Sequence, residues 1–266
     1  MLHLSIDMSN VGDTGVGAAS ERPLNARSLA LSALLGTHPP TLPASSLVRL
    51  AELFGMNGGT MRTALSRMAA AGDVIMGDGG YSLAPRLRQR QAAQDAGLTN
   101  AHGAWDGSWH LAVALADQRE LADRRQIRAV MANARFAEVR PTAWMRPSNL
   151  PAPDLGADWA VTTGPIVGRS DAEIAAGLWD LGDLATRAHA LVRRLEVATD
   201  RLDRADPAAV PPAFTLSAVV VRFLRSEPLL PEALTPPTWP LPRLRDHYAR
   251  FEADLHAMLR PILRPR

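Results

Sequence analysis

Apolar positions recur at helical spacing through most of the chain, and the pattern is cleanest between residues 57 and 72. Met61, Leu65 and Met68 fall at intervals of four and three with Ala64 and Ala69 beside them, so one stripe of a helix turns inward. The opposite face carries Thr60, Arg62, Thr63, Ser66 and Arg67, with no acid among them. Asn57 is placed to cap the first turn and Gly72 to end the helix. Upstream, Leu47, Val48, Leu50, Ala51 and Phe54 keep helical spacing between Pro43 and Gly55. Earlier still, Leu29, Leu31, Leu34 and Leu35 predict a helix from about Ala26 to Leu35, closed by Gly36 and followed by a rigid connector, Thr37-His38-Pro39-Pro40. Downstream, the β-prone runs Val74 to Met76 and Tyr81 to Leu83 flank Gly77-Asp78-Gly79-Gly80, the composition of a hairpin turn.

Three helices followed by a hairpin form the pattern of a winged helix-turn-helix, whose second paired helix lies in the major groove of DNA. From Trp105 the pattern changes. Residues 109–115 read as a buried strand, and 119–134 as a helix with Leu121, Ile127, Val130 and Met131 on one face. Thr142 to Met145 and Trp159 to Thr163 are two further strands, which together suit a small α+β domain with its sheet covered on one side. The last third is helical. Ser170 and Glu173 have capping-box spacing, after which Leu184, Ala188, Leu191, Leu195, Ala198 and Leu202 form a seam. Each leucine gains roughly 1.5 to 3 kcal/mol on burial, so the seam packs within the chain or across a dimer. Pro211-Pro212 opens a helix that Pro228 stops, and a final helix runs from Asp246 to about Leu259. The expected division is a disordered tail at 1–23, the winged helix at 24–84, a linker helix at 85–104, the middle domain at 105–169 and a helical domain at 170–266.

Composition sharpens only part of this. All basic charge comes from Arg, since the 266 residues hold no Lys, and the formal net charge is only +2. Residues 24–91 are more lopsided, with seven Arg against Glu52, Asp73 and Asp78, a local +4. That excess makes Asn57, Thr60, Arg62, Thr63, Ser66 and Arg67 the candidate DNA contacts, because a guanidinium forks onto a guanine edge or a phosphate. The hairpin turn carries Asp78 where wings usually carry a basic residue; Arg86, Arg88 and Arg90 could serve in its place if the chain returns to the DNA backbone, whereas on a helix they spread around a solvated linker that ends near Gly97. Farther on, Arg119, Arg124, Arg125 and Arg128 cluster beside Glu120 and Asp123, a candidate anion site. With no cysteine and scattered histidines, neither a disulfide framework, a metal set nor a catalytic constellation is expected. The first 22 residues resemble neither a signal peptide nor a transmembrane segment, and a cytoplasmic location without membrane attachment is expected.

Several runs also resemble a known family. They are residues 28–36, SLALSALLG; 61–68, MRTALSRM; 105–109, WDGSW; 178–181, LWDL; and 223–231, FLRSEPLLP. Over about residues 24 to 255 the chain is similar to the PaaX-type transcriptional regulators, repressors of phenylacetate degradation. The resemblance implies an α+β, mostly helical protein: an N-terminal winged helix-turn-helix, a middle ferredoxin-like domain related in shape to Cas2 nucleases, and a helical C-terminal domain. It implies a homodimeric repressor on a double-stranded operator, without a cofactor, released by an aryl-CoA thioester such as phenylacetyl-CoA. The three phosphates of coenzyme A would need several guanidinium or helix N-terminal donors, for which the Arg119 cluster is a candidate, and Trp105, Trp109, Trp144 or Trp179 could line an acyl pocket. Two features depart from the family: the wing lacks basic residues and the N-terminal tail is longer. Two other classes stay open, a Cas2-like or hydrolytic enzyme that docks through the winged helix, and an interaction module that has lost DNA binding.

Overall fold

The computed structural model describes residues 24–88, 91, 103–115 and 121–264. The fold is α+β, helix-rich, with strands among the described residues forming two small antiparallel sheets. By contact the chain divides into two compact units, each discontinuous in sequence: Met1–Leu98 with Ala190–Phe223 and Arg243–Arg266, and Thr99–His189 with Leu224–Pro242. This differs from the sequential division expected above, because the helices of the last third are shared between the units. The expected tail at 1–23 lies outside the described residues, and so does most of the linker helix at 85–104, of which 85–88 and 91 are helical.

In the first unit, α1 (Ala26–Leu35) begins at Asn25, whose side chain accepts the Ser28 N–H at 2.8 Å. Leu29, Leu31 and Leu34 are fully buried along it. A two-residue strand, β1 (Thr41–Leu42), follows. Two residues hemmed by prolines carry no periodicity, so the sequence pattern does not predict this strand. Then come α2 (Ala44–Leu53), α3 (Gly58–Ala70), β2 (Val74–Gly77) and β3 (Gly80–Leu83). The sheet order is β1-β3-β2, and the Gly77↔Gly80 pairing leaves Asp78-Gly79 as a two-residue turn. Gly80 has φ +110°, and a Cβ there would run into the Leu42 carbonyl and lie 2.7 Å from Pro43 Cα. Only glycine permits β1 and β3 to approach this closely.

In the second unit, β4 (Trp109–Ala114), α4 (Leu121–Asn133), β5 (Ala137–Arg140), β6 (Ala143–Pro147) and β7 (Trp159–Gly164) build a sheet of order β5-β6-β4-β7. β5 was not anticipated: four residues with three of them exposed show no apolar alternation. Strand alternation sends Trp109 and Met145 to one face and Ala112 and Trp144 to the other. Ile127 and Met131 of α4 cover the second face, while Ile174 and Ala175 of α5 (Asp171–Leu178) and Leu230 and Leu234 cover the first. The sheet is therefore covered on both sides, not one.

The capping box forms as expected: Ser170 Oγ accepts the Glu173 N–H at 3.3 Å and the Glu173 carboxylate accepts the Ser170 N–H at 2.9 Å. Those Ser170 hydrogen bonds hold the exposed Glu173 carboxyl below its usual pKa. Three helices complete the chain, α6 (Leu181–Asp203), α7 (Val210–Ser226) and α8 (Leu241–Leu263). α8 begins five residues before the expected Asp246 because Leu241 and Leu244 are buried at 1% and 0% exposure. Leu184, Ala188, Leu191, Leu195 and Leu202 of the seam are all buried in the single chain. The seam is thus not a free dimer surface, which corrects its candidacy as one. Residues 207–226 are long and apolar enough to cross a membrane by length and composition, but 61% of that window is buried, as in a core helix.

Candidate nucleic-acid interface

The turn between α2 and α3 is built from Gly55, at φ +71°, and Asn57, whose Oδ1 accepts the Gly59 N–H at 2.7 Å. Gly58 opens α3 where α2 comes closest: a Cβ there would stand 2.9 Å from Val48 Cγ1. Met61, Leu65 and Met68 are buried at 0%, 1% and 1% exposure. Their burial fixes the rotation of α3, so Asn57, Thr60, Arg62, Thr63, Ser66 and Arg67 are all exposed. At ~100° per residue, Ser66 and Thr63 lie between Arg62 and Arg67, and Thr60 lies just beyond Arg67.

Neither Arg62 nor Arg67 makes an ion pair or side-chain hydrogen bond among the described residues. The other arginines of this region behave differently. Asp73, 3% exposed, accepts from Arg27 Nη2 at 2.8 Å and from Arg86 Nη2. Arg49 Nε and Nη2 donate to the Ile262 carbonyl at 3.0 and 2.8 Å, and Nη2 donates to the Arg264 carbonyl at 2.7 Å. Arg86 is accordingly committed to a carboxylate, and residues 85–88 are helical, the case in which these arginines do not substitute for a basic wing. Arg88 is exposed, and Arg90 lies outside the described residues. The local excess of arginine therefore concentrates on the outer face of α3. The hairpin itself exposes Asp78 at its turn and, unforeseen, two apolar side chains of β2, Ile75 at 51% and Met76 at 71%.

The candidate anion cluster is less coherent. Arg128 Nε pairs with Glu138 Oε2 at 2.8 Å, and that hydrogen bond, with the carboxylate charge, raises its pKa. Arg124 is exposed, and Arg119 and the Arg125 side chain lie outside the described residues. The four tryptophans do not line one pocket. Trp109 and Trp144 are buried on opposite faces of the sheet, and Trp105 and Trp179 pack against the Trp109 cluster. Trp109 Nε1 donates to Asp171 Oδ1 at 2.8 Å.

Two buried arginines of the second unit escaped the sequence reading, since nothing in a linear pattern marks a guanidinium that turns inward. Arg135, at φ 66°, donates from Nη1 to the Leu224 and Glu227 carbonyls at 3.1 and 2.5 Å, closing the C-terminus of α7. Arg146 donates from Nη1 to the Ala134 carbonyl at 2.9 Å and from Nη2 to the Leu150 and Pro151 carbonyls, with Phe136 under its guanidinium at 5.0 Å. Burial, and then the charge of Arg135, push Arg146 down to about 10. Both act as struts. Among the described residues no group of three or more His, Cys, Asp or Glu is placed to hold a metal ion.

The second of two tightly turned helices thus exposes a face of Arg, Thr and Ser, and the family to which the chain is matched is generally regulatory rather than enzymatic. The family follows from two comparisons. The sequence model of a family described as PaaX-like protein matches residues 25–87. The structure of the uncharacterized protein Rv0674 from Mycobacterium tuberculosis superposes with a TM-score of 0.73 at 34% identity, covering 90% of this chain and 98% of that one. Among curated proteins none matches. The chain belongs to the PaaX-like family.

Proposed function

We propose that the protein is a DNA-binding transcriptional regulator, acting in the cytoplasm as a homodimeric repressor of an aromatic-acid operon of the phenylacetate type. Residues 24–84 form a winged helix-turn-helix in which α3 enters the major groove, with Arg62 and Arg67 on base edges or phosphates and Asn57, Thr60, Thr63 and Ser66 as shorter contacts. The observation that carries this reading is the contrast among arginines. Arg27, Arg49 and Arg86 are spent on a carboxylate or on carbonyls, whereas Arg62 and Arg67 stand exposed beside the hydroxyls of one helix face and form no ion pair among the described residues. The strand order β5-β6-β4-β7 supports a ferredoxin-like reading of the middle domain, with the loop at 148–158 where a second helix would cross. Fold likeness to a nuclease carries no activity with it.

The reading is tested by a gel shift on duplex DNA from upstream of the protein's own gene, over a series of salt concentrations. Retardation that weakens steeply with salt is expected, because phosphate neutralisation releases counterions. No retardation at low salt would favour an interaction module without DNA binding. The proposed inducer is an aryl-CoA thioester, and release requires tighter binding to the free form than to the DNA-bound one. Calorimetry with phenylacetyl-CoA, with and without the duplex, is expected to show that preference. Equal affinity for both forms would remove the inducer and leave DNA binding intact.

A further inference from the structure

α2 is held on two sides within the first unit. Val48 and Glu52 face the start of α3, since a Cβ on Gly58 would lie 2.9 Å from Val48 Cγ1 and 3.3 Å from Glu52 Oε1. Ser46 and Arg49 face the end of α8 instead. Ser46 Oγ donates to the Leu263 carbonyl at 3.0 Å, while Arg49 holds the carbonyls of Ile262 and Arg264. At ~100° per residue these two pairs lie about 110° apart around α2. Ser45 falls between them and is exposed. The start of α3 and the end of α8 therefore border a narrow exposed strip of α2 at Ser45, with the exposed Glu52 at its α3 edge.

The end of α8 is basic. Residues 255–266 contain Arg260, Arg264 and Arg266 and no acid. Arg260 and Arg264 are exposed and have no acidic partner among the described residues. A helix C-terminus ordinarily presents bare carbonyl oxygens, which repel an anion. Here the Arg49 guanidinium occupies two of those carbonyls, so the tip offers arginines to solvent.

In a helix-turn-helix the first helix of the pair crosses the DNA backbone while the second enters the groove. A basic surface bordering the exposed strip of that first helix meets phosphates. We propose that the C-terminal turn of α8 is a second DNA-contacting surface, with Arg260 and Arg264 taking phosphates of the backbone that α2 crosses, an inference that rests on the DNA-binding reading above. Its chemistry differs from that of α3. Phosphate contacts add affinity and position without sequence information, whereas base contacts discriminate.

The experiment measures binding of the full chain, across salt concentrations, to the duplex from upstream of its own gene and to a random duplex of equal length. The double variant Arg260→Gln/Arg264→Gln is expected to lower the slope of log affinity against log salt by about 0.9 per lost phosphate contact, and to weaken both duplexes by the same factor. Arg260→Lys/Arg264→Lys, which keeps both charges, is expected to retain the wild-type slope. A Gln variant with the wild-type slope, or a Lys variant that loses slope as the Gln variant does, overturns the proposal while DNA binding through α3 stands. A wild-type protein that binds neither duplex overturns both readings together.

Discussion

Asp73 shows how a charge count becomes a geometry. Read along the chain, Arg27 and Arg86 add to a basic surface; in the fold both converge on one carboxylate that is 3% exposed. The arginine side chains are themselves 48% and 63% exposed, so solvent screens the pairs and their attraction is discounted accordingly. Removing the acid leaves two guanidinium groups able to return to water, whereas removing both arginines strands a buried carboxylate. Asp73→Ala is expected to cost about 1–2 kcal/mol, and Arg27→Ala/Arg86→Ala measurably more, by urea unfolding monitored by circular dichroism. The opposite order would mean that the arginines do not solvate Asp73. No spacing rule joins positions 27, 73 and 86, which is why this clamp was not legible in the sequence. The cap at Asn57 and the buried stripe of Met61, Leu65 and Met68 were legible, because helical period alone decides which side chains turn inward.

At the scale of elements, the long helices and the glycine-turned hairpin β2–β3 were readable, and β1 and β5 were not. β1 spans two residues and β5 four, lengths at which alternation carries almost no information, and each exists because a neighbouring strand pairs with it. Gly80 is the exception, a turn glycine visible in the sequence whose requirement appears only in the fold. Gly80→Ala puts a Cβ against the Leu42 carbonyl at an unfavourable φ, and is expected to lower the thermal midpoint, with a loss on the order of 2–3 kcal/mol. An unchanged midpoint would show that β1 can move away freely. The clamp of Arg49 on α8 was likewise hidden, its partners lying more than two hundred positions away. Arg49→Ala leaves the Ile262 and Arg264 carbonyls without this donor, so hydrogen exchange of the last turn of α8 is expected to rise. Unaltered exchange there would deny Arg49 that role.

For the whole molecule, the sequence suggested domains in succession, and contact instead gathers three separated segments into the first unit and two into the second. Burial decides this: helices α6, α7 and α8 are amphipathic in sequence, but the pattern does not name the partner of each apolar face. The same limit applies to assembly. The apolar seam of α6 is buried within one chain, so a dimer must use another surface. Light scattering at micromolar concentration is expected to give twice the mass of the 28.6 kDa chain, and a monomer that binds the upstream duplex without loss would refute the two-fold reading.

The central claim, that the outer face of α3 reads DNA, is tested most directly by Arg62→Ala. Arg62 is exposed and makes no ion pair or side-chain hydrogen bond among the described residues, so its removal is expected to leave the thermal midpoint in place. One forked arginine contact is worth roughly 1–3 kcal/mol, hence about tenfold or more in affinity for the upstream duplex and a smaller change on random DNA. A folded Arg62→Ala protein that binds the upstream duplex with wild-type affinity would contradict the account.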